Sequence, residues 1–163
     1  MSKLAFIFPG QGAQKAGMGK DFYENSEAAR SFFDQAQKIL DFDLKEMCFG
    51  EHEELNLTEY TQPCMVSVCL AIVQELKKRG INPDITAGLS LGEYAAVAAA
   101  GGMNELDAIK LVRRRGILMQ STVPAGEGAM AAVLGLDAKK IEEILESFEN
   151  VWIANYNCPG QIV

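Results

Sequence analysis

The run Leu4-Ala5-Phe6-Ile7-Phe8 is continuously apolar and stops at Pro9-Gly10, the pattern of a strand buried on both faces as in a parallel sheet. A loop from Gly10 to Gln14 follows. Ser26 offers a helix N-cap, and Phe32, Phe33, Ala36, Ile39 and Leu40 recur at the spacing that places them on one helical face. The acidic, broken stretch from Asp41 to Leu57 predicts no regular element. A second helix is predicted from about Thr61 and Pro63. It carries Val66, Leu70, Val73 and Leu76 and ends in Lys77-Lys78-Arg79-Gly80, cations and glycine suited to a helix C-terminus. Asp84 to Leu89 reads as a short strand running through Ser90 into an Ala-rich helix that reaches Ala100. Asn104, with Asp107 three residues on, predicts the cap of a further helix holding Leu106, Ile109, Val112 and Met119. After a linker-like stretch, residues 123–128, the pattern reads strand (129–136), helix (137–148), strand (151–156), a Pro159-Gly160 turn and a last short strand (161–163). Strands alternating with helices predict the α/β class.

The 163 residues, 48% hydrophobic and 23% charged, suffice for one core or a core plus part of a second lobe, and exclude a disordered tail or fibrous repeat. With 15 Lys plus Arg against 22 Asp plus Glu, the net charge of -7 repels nucleic acid and anionic lipid. An anionic ligand must therefore meet a local basic patch. Cys48, Cys64, Cys69 and Cys158 form no C-x-x-C pair and have no His-rich neighbourhood, so they read as reduced thiols rather than a disulfide framework or zinc site. Five apolar residues near the N-terminus are too few for a secretory segment, and no stretch approaches a membrane span. The expectation is a cytoplasmic protein with no metal, nucleic-acid or membrane partner.

Gly88-Leu89-Ser90-Leu91-Gly92 is a G-x-S-x-G pattern between a predicted strand and a predicted helix, the context a nucleophile elbow requires. Its glycines let strand and helix backbones pass closely while the serine hydroxyl stands exposed on the turn. The alternative is that Ser90 merely caps the helix, with Glu93 completing a capping box. A serine nucleophile needs a base and amide donors for the oxyanion. The one histidine, His52, lies in the acidic stretch Glu51-His52-Glu53-Glu54 and reads as a surface bystander. The Leu91 amide and the Pro9-Gly10-Gln11-Gly12 loop can supply donors, although that loop also reads as a plain type II turn. Arg115 stands at helical spacing from Leu111, Val112, Leu118 and Met119, which predicts an inward guanidinium among apolar residues, with Arg113 and Arg114 pointing elsewhere. Such a fork needs a carboxylate, either a ligand's or an internal Asp or Glu.

Five stretches, Phe8-Pro9-Gly10-Gln11-Gly12-Ala13-Gln14, Thr61-Gln62-Pro63, Gly88-Leu89-Ser90-Leu91-Gly92-Glu93-Tyr94, Arg115-Gly116 with Met119-Gln120, and Asn157-Cys158-Pro159-Gly160-Gln161, together resemble the malonyl-CoA:acyl carrier protein transacylase family. They stand in that family's order and cover essentially the whole chain. The resemblance implies an α/β-hydrolase-like parallel-sheet core over residues 1–122 and the start of a ferredoxin-like small subdomain over residues 128–163, both incomplete. It implies that Ser90 takes a malonyl group from malonyl-CoA and passes it to the phosphopantetheine thiol of acyl carrier protein, in fatty acid biosynthesis. Gln11 and Leu91 would supply the oxyanion-hole amides, Arg115 would pair with the malonyl carboxylate, and Gln62 would bind near the substrate. No cofactor is implied, malonyl-CoA being the substrate, and the full-length form would be a monomer. Both partners are anionic, which makes Lys77, Lys78, Arg79, Lys110, Arg113 and Arg114 candidate docking cations.

Two departures stand out. Leu89 occupies the place where the family usually has histidine, and fits a buried strand end. The family is also substantially longer, and its catalytic histidine lies beyond Val163, so the resemblance implies an N-terminal portion with negligible transfer activity alone. The competing readings are a non-catalytic acyl-CoA-binding module, an acyltransferase domain of polyketide synthase type, and an esterase. Arg115 speaks against the esterase.

Overall fold

The computed structural model describes residues 3–123 and 126–163, which fall into two compact units, Met1–Val123 and Pro124–Val163. In the first unit, strand β1 (Ala5–Phe8) pairs in parallel with β2 (Ile85–Gly88), with Ala5 opposite Ile85 and Phe8 opposite Gly88. A parallel pair requires a crossover, and here it is helical: α1 (Lys20–Asn25), α2 (Glu27–Gln37), α3 (Leu44–Phe49), a 3-10 turn at Glu53–Asn56, and α4 (Thr58–Lys78). Helices α5 (Leu91–Ala99) and α6 (Glu105–Thr122) follow β2. The α/β class with a parallel sheet is therefore observed.

The expectation that β1 is buried on both faces is not met. Phe8 is 6% exposed but Ile7 is 79% exposed and Ile85 55%. Side chains alternate across a strand, and among the described residues the helices cover only the face that takes Phe6 and Phe8.

Helix α2 begins as predicted. The Ser26 hydroxyl oxygen accepts from the Ala29 amide (3.1 Å), and Ala29, Phe32, Phe33 and Ala36 form the buried face. It stops at Gln37, so Ile39 and Leu40 lie in the turn beyond it. Two six-residue helices, α1 and α3, were not predicted, and the second lies within the stretch that gave no regular pattern. Helix α4 starts at Thr58, earlier than predicted, and contains Pro63 in its interior. Proline has no N–H to give the carbonyl four residues back. That carbonyl, Glu59, instead accepts from Arg113 Nη1 at 2.8 Å. Helix α6 crosses α4 at the same place, where a Cβ on Gly116 would lie 2.8 Å from Glu59 Cα and from the Thr58 oxygen. Asn104 caps α6, its Oδ1 accepting from the Leu106 amide (3.0 Å) and the Asp107 amide (3.2 Å). The buried face of α6 is Ala108, Ile109, Val112 and Gly116, and Met119, expected there, is 45% exposed.

In the second unit β3 (Val133–Leu134), β5 (Gln161–Ile162) and β4 (Tyr156–Cys158) form an antiparallel sheet in the order β3-β5-β4. Helix α7 (Ala138–Leu145) is capped by Asp137, which accepts from the Lys139 amide at 2.9 Å. The strand predicted over 129–136 shrinks to β3, and the one predicted over 151–156 is displaced to β4, which shares only Tyr156 with it. Of the predicted linker, Pro124 and Ala125 lie outside the described residues. No helix among the described residues is long and apolar enough to cross a membrane.

Candidate active site

Ser90 joins β2 to α5 with φ +49° and ψ -100°, a backbone conformation that costs a non-glycine residue of order 1–3 kcal/mol. The turn is tight because two glycines make it so. A Cβ on Gly88 would overlap the Gly92 carbonyl, and one on Gly92 would overlap the Phe8 carbonyl and lie 2.7 Å from the Pro9 oxygen. The plain helix cap fails, since the Ser90 side chain makes no capping hydrogen bond. Its hydroxyl is left free to face another group. Leu89 is 55% exposed and not a buried strand end, whereas Leu91 is 1% exposed.

That other group is Arg115, whose Nη2 lies 3.4 Å from Ser90 Oγ. The guanidinium also lies over the Tyr94 ring, 5.5 Å from its centroid. Among the described residues no Asp or Glu pairs with Arg115, which removes the internal salt bridge as its partner. The predicted setting is corrected in one respect: Arg115 is half-buried, and of its expected apolar neighbours Val112 is buried but Leu111, Leu118 and Met119 are all at least 44% exposed. The inward arginine of the three is Arg113, expected to point away. Its side chain is 12% exposed, and it forks onto Asp41 (2.9 and 2.9 Å), binds Glu59, and lies 5.1 and 5.0 Å from the Phe42 and Tyr60 ring centroids. The guanidinium's hydrogen bonds hold the Asp41 carboxyl below its ordinary range.

The loop after β1 lies against the turn. The Leu89 amide donates to the Phe8 oxygen (3.1 Å), and a Cβ on Gly10 would come within 2.9 Å of the Leu89 oxygen. Side chains brace it: Gln11 Nε2 donates to Thr58 Oγ1 (3.0 Å), Gln14 Nε2 to Asn56 Oδ1 (3.1 Å), and the Gly12 amide to Gln14 Oε1 (2.8 Å). Thr58 in turn donates its amide to Gln120 Oε1 (3.0 Å). The Gln11 and Leu91 amides donate to no backbone carbonyl among the described residues. Gln62 is fully buried. Its Nε2 reaches only Met119 Sδ (3.3 Å) and its Oε1 has no partner among the described residues.

Thus Ser90 and Arg115 meet, and the Gln11 loop packs on the Leu91 turn. His52 stands apart, its Nε2 3.1 Å from Glu46 Oε1. Among the described residues no group of acidic, histidine or cysteine side chains is arranged to hold a metal. Of the candidate docking cations, Lys77, Lys78, Arg79, Lys110 and Arg113 are ion-paired, and Arg114 is exposed without an ion pair among the described residues. Sequence reading gave no role to Tyr94 or Thr58. Tyr94 carried a signal, standing one helical turn after Ser90 on the same side of α5; Thr58 carried none.

Comparison with known proteins accords with this geometry. Residues 5–163 match the acyl transferase domain family. The malonyl CoA-acyl carrier protein transacylase of Bacillus subtilis (strain 168) is 49% identical over 168 aligned positions, which take in 100% of this chain and 53% of that protein. A crystal structure of the Clostridium perfringens transacylase superimposes with a TM-score of 0.89 at 44% identity, over 99% of this chain and 52% of that one. A malonyl-transacylase solved in complex with its type II PKS acyl-carrier protein gives 0.88 at 39% identity, over 99% and 54%. The chain thus spans about half the length of the relatives it matches. With the elbow, the facing arginine and the matched span in agreement, the chain belongs to the acyl transferase domain family.

Proposed function

We propose that this chain carries the nucleophilic part of a malonyl-CoA:acyl carrier protein transacylase of cytoplasmic fatty acid biosynthesis. The carrying observation is the Ser90 hydroxyl on a strained turn, 3.4 Å from a guanidinium that no carboxylate among the described residues engages. Ser90 Oγ attacks the thioester carbonyl of malonyl-CoA. Charge developing on the carbonyl oxygen is taken by the Leu91 and Gln11 amides, and collapse expels the coenzyme A thiolate, leaving a malonyl ester on Ser90. The carrier protein's phosphopantetheine thiol then attacks the ester and releases the serine. Arg115 binds the free malonyl carboxylate with its planar fork, and the buried, half-satisfied Gln62 amide lines the same region. Among the described residues no histidine or carboxylate accepts the Ser90 proton, so we assign the base to the part of the relatives' length that this chain does not span. In the same reading the β1–β2 unit, residues 1–122, is of α/β-hydrolase type, and residues 128–163 begin a ferredoxin-like subdomain. Of the candidate docking cations, Arg114 is exposed and without an ion pair among the described residues, and we assign it to the carrier protein.

Equilibrium binding tests this reading. Malonyl-CoA is expected to bind more tightly than acetyl-CoA, and Arg115→Met to abolish the difference, a charge-assisted contact of about 1.5–3 kcal/mol amounting to roughly tenfold or more. Equal binding of the two thioesters by the unaltered chain refutes it.

A further inference from the structure

Arg115 is a long side chain with no carboxylate among the described residues to fix it, yet its guanidinium stands beside the Ser90 hydroxyl. A free arginine carries substantial rotamer freedom, so something other than an ion pair holds the head in place. The contact that remains is the Tyr94 ring, with the guanidinium carbon 5.5 Å from its centroid. Tyr94 is half-buried against the core, one helical turn along α5 from Ser90, so its position is fixed by packing while one side of it faces α6. Its hydroxyl takes part in no side-chain hydrogen bond among the described residues, so it meets Arg115 through its ring.

We infer that Tyr94 is a positioning residue that determines acyl selectivity: its ring face holds the Arg115 guanidinium on the Ser90 side, ready for the carboxylate of a carboxyacyl thioester. The inference rests on the proposed function and adds a residue to it. A cation over an aromatic face is attracted by the ring quadrupole, and that contact engages none of the hydrogen-bonding capacity the guanidinium needs for a carboxylate. An acetyl thioester has no charge for that fork, so loss of Tyr94 touches its binding only through general packing.

The test is the ratio of malonyl-CoA to acetyl-CoA affinity in the 163-residue chain, for the unaltered protein, Tyr94→Phe, Tyr94→Leu, Arg115→Met and the double variant. Tyr94→Phe keeps the ring and is expected to keep the ratio. Tyr94→Leu is expected to lower it about two- to fivefold, the worth of a partly exposed cation–π contact, and to lower it no further when Arg115 is already Met. Acetyl-CoA binding to the same sample is the internal control for folding. A second readout does not depend on function: the Arg115 Nε–H resonance is expected to show a ring-current shift that persists in Tyr94→Phe and vanishes in Tyr94→Leu. Equal weakening of both thioesters by Tyr94→Leu, or an unchanged ratio, overturns the role assigned to Tyr94 while leaving Arg115 intact. If the unaltered chain shows no preference but the ring-current shift is present, it is the proposed function that fails.

Discussion

Three consecutive arginines meet three environments, and Arg113→Ala is the substitution whose cost the structure lets one work out. Its guanidinium binds Asp41 through two hydrogen bonds of 2.9 Å, but the Asp41 side chain is 67% exposed, so that pair counts for less than about 1 kcal/mol. Two aromatic faces at 5.1 and 5.0 Å add about 0.5–1 kcal/mol each. The larger cost is local to α4. Without Arg113 the Glu59 carbonyl, which Pro63 cannot serve, loses the guanidinium donor, a hydrogen bond to a charged group worth about 1.5–3 kcal/mol. Because these contacts share one side chain they do not add fully, and the expected loss is about 3 kcal/mol. Arg113→Lys, which keeps charge but not the fork, is expected to lose about half of that. Arg114→Ala, at an exposed and unpaired position, should stay within about 0.5 kcal/mol of the unaltered chain. Urea unfolding followed by far-ultraviolet circular dichroism is the suitable assay, since the helices of the first unit dominate that signal. Trp152 belongs to the second unit and its fluorescence reports on that unit instead. Equal stability losses for Arg113→Ala and Arg114→Ala would refute the clamp.

Other expectations follow from single contacts. Gly92→Ala forces a methyl group against the Phe8 and Pro9 carbonyls and should cost about 1–3 kcal/mol, read as a lowered melting temperature; an unchanged one means the turn is looser than described. The Ser26 hydroxyl and Arg79 hold the Glu75 carboxyl below its usual value of 4.5. Its folded pKa is thus depressed, so its contribution is complete above the unfolded value and fades as pH falls through the folded one. Glu75→Gln should therefore be less stable than the unaltered chain at neutral pH and converge with it in acid, and a gap that widens in acid contradicts this. Among the thiols, burial pushes Cys69 up to about 11, and the hydrogen bond that the Cys48 thiol gives to Cys64, together with burial, raises Cys48. Cys158 is exposed. A maleimide should modify Cys158 well before the others in the native protein, as mapped by peptide mass, and early loss of Cys48 would show the core to be open.

The parts of the fold written in local pattern were legible in the sequence. Ser26 and Asn104 announced their helices because capping is a property of a few adjacent residues, and the Gly88–Gly92 spacing announced the turn because only glycine lets those backbones touch. What the sequence did not disclose depends on partners far along the chain. An apolar run says that β1 is a strand, not how many of its faces are covered, hence the exposed Ile7. Pro63 reads as the beginning of a helix unless one knows that Arg113, 50 positions later, takes over the freed carbonyl. Helical spacing placed Arg115 among apolar neighbours correctly, but of those Leu111, Leu118 and Met119 are exposed and only Val112 is buried, and the buried arginine is the one whose aromatic partners, Phe42 and Tyr60, lie in or next to the stretch that showed no pattern. The six-residue helices α1 and α3 are too short to establish a period.

The pairing of a strained serine with an unpaired arginine is tested most directly by prolonged incubation of the chain with malonyl-CoA and peptide mapping of any adduct. Serine enzymes without their base retain about 10³–10⁴-fold acceleration over water from oxyanion contacts and binding. The expected result is a malonyl ester that accumulates slowly on Ser90, faster at higher pH, and is absent from Ser90→Ala. Malonylation confined to Cys158 or to lysines, with Ser90 untouched, would contradict it.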